Sequence, residues 1–170
     1  TLSTTRNIDF VGANANVPRS GGDADHSAFV NATIGPDNTG NNLYDRLATL
    51  LATAPDIVIL GTGTANLLGS GNGAAASPNE YEALITQITA LAPTTRILMC
   101  VPPKINGQVS GSSFDVAWSA LRTRIQSLAS ASVTDRLYLC DLGTLSFTAS
   151  DYQDASRWTE TGADKIGAAI

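Results

Sequence analysis

Six places along the chain carry residue types that could do chemistry. His26 is the only histidine and stands beside Asp23 and Asp25, so it could serve as a base. Ser20 and Ser27 are its nearest candidate nucleophiles. Ser20 lies in Arg19-Ser-Gly-Gly22, without the strand–turn–helix setting of a nucleophile elbow, and the simpler reading of both is ordinary loop serine. The same reading applies to His26 as a locally bonded loop residue. Asp23 and Asp25 offer two hard oxygen ligands to a cation, too few for a calcium site, so no metal is expected. Arg157-Trp158 pairs a guanidinium with an indole. Together they could stack on the apolar face of a sugar and bond its hydroxyls, or Trp158 could cover a helix while Arg157 pairs with Asp154. Gly61, Gly63 and Gly71 lack the Lys-Ser/Thr of a phosphate loop and the Gly-x-Gly-x-x-Gly of a dinucleotide site, so no cofactor is expected. Cys100 and Cys140 each end an apolar run. If those runs are neighbours the thiols approach one another; two buried free thiols is the preferred reading and a disulfide the lesser one.

The element that would position such groups is Pro55-Asp-Ile-Val-Ile-Leu60 with the loop Gly61 to Asn66. A short β-branched run bounded by Pro and Gly reads as a buried parallel strand. Open α/β sheets bind ligands just beyond the carboxyl ends of such strands, which makes Thr64 and Asn66 candidate site residues. Strands are also predicted at 8–12, 97–101 and 137–142. Between them the spacing predicts helices over about 42–53, 77–92, 112–131 and from about 160. In the second of these Ser77 should cap, Pro78 should open the first turn, and Glu80 should complete a capping box. Residues 13–41 and 68–76 read as loops, the latter as a mobile rim. Alternation of strands and helices predicts one α/β domain over 1–170, a parallel sheet with helices on both faces.

Composition narrows the partners. Only 15% of residues are charged, and the net charge is −5. The ten basic residues are scattered except for Arg122 and Arg124, so no basic face exists for nucleic acid or an anionic membrane. No run is long enough for a membrane span and none reads as a signal peptide. A domain solvated by Ser, Thr, Asn and Gly rather than by charge points to an extracellular or virion-surface location. Asn31-Ala-Thr33 is a glycosylation sequon.

In order along the chain, Ile8-Asp-Phe-Val-Gly12, His26-Ser27, Pro55-Asp-Ile-Val-Ile-Leu60, Gly63-Thr64, Leu137-Tyr-Leu-Cys-Asp-Leu142 and Asp154 with Gly162 resemble the SGNH/GDSL hydrolases, most closely their carbohydrate-esterase branch. The resemblance implies a three-layer α/β/α sandwich with a flavodoxin-like parallel sheet. It also implies a serine nucleophile after the first strand, a histidine base oriented by an aspartate, and an oxyanion hole completed by a glycine amide and an asparagine. Carried over by position, the Gly-Asp-Ser block has no counterpart and the family's first strand is missing. The glycine falls on Ala28. The Gly-Thr-Asn-Asp block reads Gly63-Thr64-Ala65-Asn66, so the oxyanion asparagine falls on Ala65, and Asn66 could replace it only after a one-residue shift. The Asp-x-x-His block reads Asp154-Ala-Ser-Arg157, and arginine stays protonated and cannot be the base.

The expectation is a catalytically degenerate domain that binds a glycan or a protein partner through Thr64, Asn66, Arg157 and Trp158, with Asp154 the one orienting residue retained. Two alternatives stand beside it. One is a carbohydrate O-acyl esterase whose nucleophile strand lies outside this chain, with His26 as base and Asn66 in the oxyanion hole. The other is a structural domain of a fibre or assembly. A sheet lacking its first strand would leave unpaired backbone on both sides. The chain is therefore expected to be an excerpt of a longer polypeptide, or to assemble with a segment that supplies the strand; direct pairing of 8–12 with 57–60 is the lesser option.

Overall fold

The computed structural model describes residues 14–15, 25–26, 29, 32–35, 41–69, 73–108, 110–131, 135–154 and 158–170. The strand expected at 8–12, and Ser20, Asp23, Ser27, Ala28, Asn31 and Arg157, lie outside them.

Two residues of β1 (Asn14–Ala15) pair antiparallel with β2 (Asp25–His26), Asn14 opposite His26. His26 thus belongs to a short ladder within the stretch read as loop. A 3-10 turn over Tyr44–Arg46 leads into α1 (Leu47–Leu50), so the helix expected over 42–53 is real but short. Strand β3 (Ile57–Leu60) pairs in parallel with β4 (Arg96–Val101), and β4 with β5 (Leu137–Asp141), giving the order β3-β4-β5. The crossovers are α3 (Ser77–Leu91) and α4 (Ser113–Ala131); α5 (Glu160–Gly167) follows β5. This is the expected α/β arrangement, a parallel sheet flanked by helices.

Residues paired across parallel strands point to one side. Leu60, Ile97, Met99 and Val101 share a face with the stripes of α3 (Tyr81, Leu84, Ile85, Ile88) and α4 (Trp118, Leu121, Ile125), forming the main core. The opposite face carries a smaller cluster, Cys100, Cys140 and Leu142, packed by Leu98, Leu145 and Ile166 of α5. On that side of β3, Ile57 and Ile59 are 58% and 48% exposed. The run read as buried on both faces is therefore buried on one, because among the described residues no element covers the other face of β3.

Two local expectations are corrected. A 3-10 turn over Ala74–Ala76 runs straight into α3, so Ser77 lies inside the helix and its hydroxyl donates to the Ala74 carbonyl at 2.7 Å instead of capping. Glu80 does not reach back to complete a capping box; it turns inward and is 8% exposed. The first part of the expected rim loop instead follows a one-turn helix, α2 (Thr64–Leu67). Among the described residues no helix is long and apolar enough to cross a membrane, and no three His, Cys, Asp or Glu side chains are grouped to hold a metal.

Candidate functional site

Beyond Leu60 the chain turns at Gly63, whose φ of +119° lies in the left-handed region. A Cβ there would also stand 2.8 Å from Leu121 Cδ2, so both backbone angle and core contact call for glycine. The turn sets Thr64 at the start of α2, facing a cavity of about 250 Å³ at the carboxyl ends of the strands. Its walls include Ile59 and Gly61 from the β3 end, Cys100 from β4, Leu142 after β5, Trp158, and Ile166 of α5. The cavity lies where the sequence placed a site, at strand ends, and its lining is largely apolar.

Asn66 faces away from this cavity. It is fully buried; its Oδ1 accepts from the Ile34 amide at 2.9 Å, and its Nδ2 donates to Glu80 Oε2 at 2.6 Å. Both ends of the side-chain amide are used to tie α2 to the segment at Ile34 and to α3. The neighbouring Ala65 carries no polar side chain. The turn thus offers the cavity no amide side chain, and Thr64 is its polar contributor.

Trp158 is half-buried and lines the cavity. Its ring centroid lies 4.4 Å from Tyr152 at 34° and 4.6 Å from Phe147 at 46°, in close tilted contact with both. Tyr152 in turn donates its hydroxyl to the Lys104 carbonyl at 2.6 Å, fastening this cluster to the loop after β4. Asp154 stands half-buried in the bend that precedes Trp158. The structure therefore brings Thr64 and Trp158 to one cavity and removes Asn66 from it. His26 is placed by its backbone in the short ladder.

The segment that presents Trp158 is held by Asp151. This carboxylate is 1% exposed; it accepts from Lys165 Nζ at 2.8 Å and from the Thr148 amide at 2.7 Å. The Lys165 bond first, and the Thr148 amide next, hold the Asp151 carboxyl below its ordinary value. A carboxyl depressed on folding contributes stability above the unfolded value near pH ~4, and loses it as pH falls through the folded value. Asp151→Asn is accordingly expected to lower the melting temperature at pH 7, with the gap to wild type narrowing as pH falls through the acid range, a contrast that thermal melts across pH would measure.

Sequence reasoning missed Cys100, Leu142 and Ile166 as cavity walls and Glu80 as the partner of Asn66. The available signal for the first was the rule already applied to β3: Cys100-Val-Pro-Pro103 also ends a strand. Glu80 gave no such signal, since its partner is fourteen residues upstream.

Solved structures share this fold. A family 3 carbohydrate esterase from Clostridium thermocellum superposes with a TM-score of 0.74 at 24% identity, covering 95% of this chain and 74% of that one. A family 3 carbohydrate esterase from Talaromyces cellulolyticus gives 0.73 at 20% identity over 95% and 78%. An acetyl esterase gives 0.75 at 19% identity over 95% and 78%. No curated protein matches the chain. The profile of the GDSL-like lipase/acylhydrolase family matches residues 9–165, nearly the whole length that carries the strand ends, the α2 turn and the Trp158 segment described above. The chain belongs to the GDSL-like lipase/acylhydrolase family.

Proposed function

We propose that this domain binds carbohydrate in the strand-end cavity without hydrolysing it. The observation that carries the reading is the commitment of the Asn66 amide to Ile34 and Glu80 beside an alanine at 65. A tetrahedral intermediate needs donors aimed at its oxyanion. A turn that presents methyl and hydroxyl groups in place of an amide side chain supplies a weaker hole. Arginine at position 157, where the family resemblance expects the base, adds to this because it holds its proton at neutral pH.

What the cavity retains suits binding. The indole of Trp158 offers an aromatic face backed by Tyr152 and Phe147, against which the C–H face of a sugar ring packs. The Thr64 hydroxyl gives and takes a hydrogen bond. Arg157, next to Trp158 in the sequence, carries a guanidinium of a type that donates to hydroxyls or a carboxylate. Two of the solved structures with this fold are carbohydrate esterases, which favours carbohydrate over other ligands. The low charge content fits an extracellular or virion-surface setting for such binding.

The test pairs two measurements. Nitrophenyl acetate should be hydrolysed at the buffer rate. A glycan array followed by calorimetry should give a ligand whose affinity falls at least about tenfold in Trp158→Ala, equivalent to ~1.4 kcal/mol, with thermal melts reporting whether the variant stays folded. Glycan binding that ignores Trp158, or turnover well above the buffer rate, would sink the proposal. A second reading is an O-acyl esterase completed by a strand from another segment. The outer place of β3 in the described sheet, with Ile57 and Ile59 exposed, favours it. Turnover that appears only when an upstream segment is added would select that reading.

A further inference from the structure

Cys100 and Cys140 are register partners across the parallel strands β4 and β5. Both are free, and they are 1% and 8% exposed. Adjacent strands lie about 4.8 Å apart. A disulfide spans Cα separations of about 4.4–6.8 Å. Paired residues of parallel strands point to the same side, and here both cysteines belong to one small buried cluster, with the Cys100 Sγ directed at the Leu98 carbonyl at 4.0 Å. Cys100 also forms part of the cavity wall. Cys140 does not line the cavity; its Sγ donates to the Ala169 carbonyl at 3.4 Å, just past α5. One cysteine thus borders the cavity and the other stands beside it in register on the next strand.

We propose that Cys100 and Cys140 form a reversible dithiol–disulfide pair, oxidised by a small peroxide that enters through the cavity. Hydrogen peroxide is the oxidant. The Cys100 sulfur, giving up its proton, attacks one peroxide oxygen; the O–O bond breaks and the other oxygen leaves as water, so Cys100 becomes a sulfenic acid. The Cys140 sulfur then attacks the Cys100 sulfur. The S–O bond breaks, the hydroxyl leaves with the Cys140 proton as a second water, and an S–S bond forms. In sum two thiols lose two hydrogens, and one peroxide is reduced to two waters.

Burial and the adjoining Cys140 thiol push the Cys100 thiol up to about 12. The first step is therefore slow at neutral pH and quickens as pH rises. Closing the bond takes the Cys140 proton from the Ala169 carbonyl and loosens the end of α5, the helix that supplies Ile166 to the cavity wall. The oxidation thus connects to the shape of the cavity, but it stands on strand register and does not depend on what the cavity binds.

The experiment exposes the folded chain to hydrogen peroxide at mildly alkaline pH. Intact mass, thiol titration in denaturant and peptide mapping follow. The expected result is a monomer lighter by two hydrogens, without titratable thiols, giving a Cys100–Cys140 linked peptide that a reductant separates. Two variants check the route under the same peroxide, with dimedone as the sulfenic-acid probe. Cys140→Ala should be labelled on Cys100, and Cys100→Ala should stay unlabelled on Cys140. Thiols that both remain titratable, separate higher oxyacids, or only intermolecular bridges would overturn the pair. Equal labelling of the two variants, or no label in Cys140→Ala, would overturn entry through the cavity and with it the proposal.

Discussion

Asn66→Ala is expected to lower unfolding free energy by about 3–5 kcal/mol. The residue is fully buried and holds two partners that have no water to turn to. Truncation leaves the Ile34 amide without its acceptor and removes a donor from the Glu80 carboxylate. An unmet buried amide costs about 1–3 kcal/mol, and a bond to a charged group is worth about 1.5–3. For a chain of this size the melting temperature should fall by roughly 6–20 °C. Asn66→Asp sharpens the test. It keeps the acceptor for Ile34 but sets a second carboxylate against Glu80. Two such carboxylates share a proton more readily folded than unfolded, so the folded-state value of the pair is raised. The sign then follows: the variant is more stable at low pH and loses stability as pH rises through that raised value. Urea unfolding at several pH values would read both variants. Wild-type midpoints for Asn66→Ala would mean that the buried bonds are not what holds the α2 turn.

Gly162→Ala carries the second large effect. A Cβ at this position would stand 2.2 Å from the Asp151 carbonyl oxygen and 3.0 Å from Trp158 Cε3. The carbonyl cannot swing aside without cost, because it accepts the Thr159 amide at 2.9 Å at the start of α5. The helix must therefore move away from the Asp151 turn, at a cost of about 2–3 kcal/mol. Because the same glycine touches the indole, the aromatic circular dichroism of Trp158 should change, and the carbohydrate binding proposed above should weaken with it. Gly167→Ala is the control on the same helix. Nothing lies within 4 Å of a Cβ there, so the exchange should be neutral or stabilising by about 0.4–1 kcal/mol. Equal melting temperatures for the two variants would show that the close approach at Gly162 does not constrain α5.

Both predictions fall on residues that stood out in the sequence for another reason. Gly162 was visible as the glycine that follows Asp154 in an ordered series of motifs, but its steric role lies in a turn that folds back from Asp151. Asn66 was visible as a polar residue at a strand end. That position is where sites are found, and it is equally where a chain entering a helix buries polar groups. Glu80 shows the same ambiguity. Its place four residues into a Ser-Pro-Asn-Glu run satisfies a capping pattern. The preceding alanines, though, wind a 3-10 turn that already supplies a continuous entry into α3, and the carboxylate is free to turn inward.

What the amino-acid order determined by itself is the α/β plan. Short continuous apolar runs bounded by turn residues, and longer stripes of period 3.6, specify strands β3, β4 and β5 and helices α3, α4 and α5, because a short run suits a buried strand and a long stripe buries one face of a helix. Whether the strands ending in Cys100 and Cys140 are neighbours was left open by the sequence; the pairing of β4 with β5 brings the two together. Tertiary structure alone decided which way the polar groups at the strand ends face. Thr64 and Asn66 are two residues apart on one turn of helix, and that spacing points them to different sides, one to the cavity and one to the interior. It also decided that the indole of Trp158 would be backed by Tyr152 and Phe147, since those contacts cross turns whose path no periodicity encodes. Local pattern fixes which residues leave water; only the packing of elements against one another assigns each buried polar group its partner.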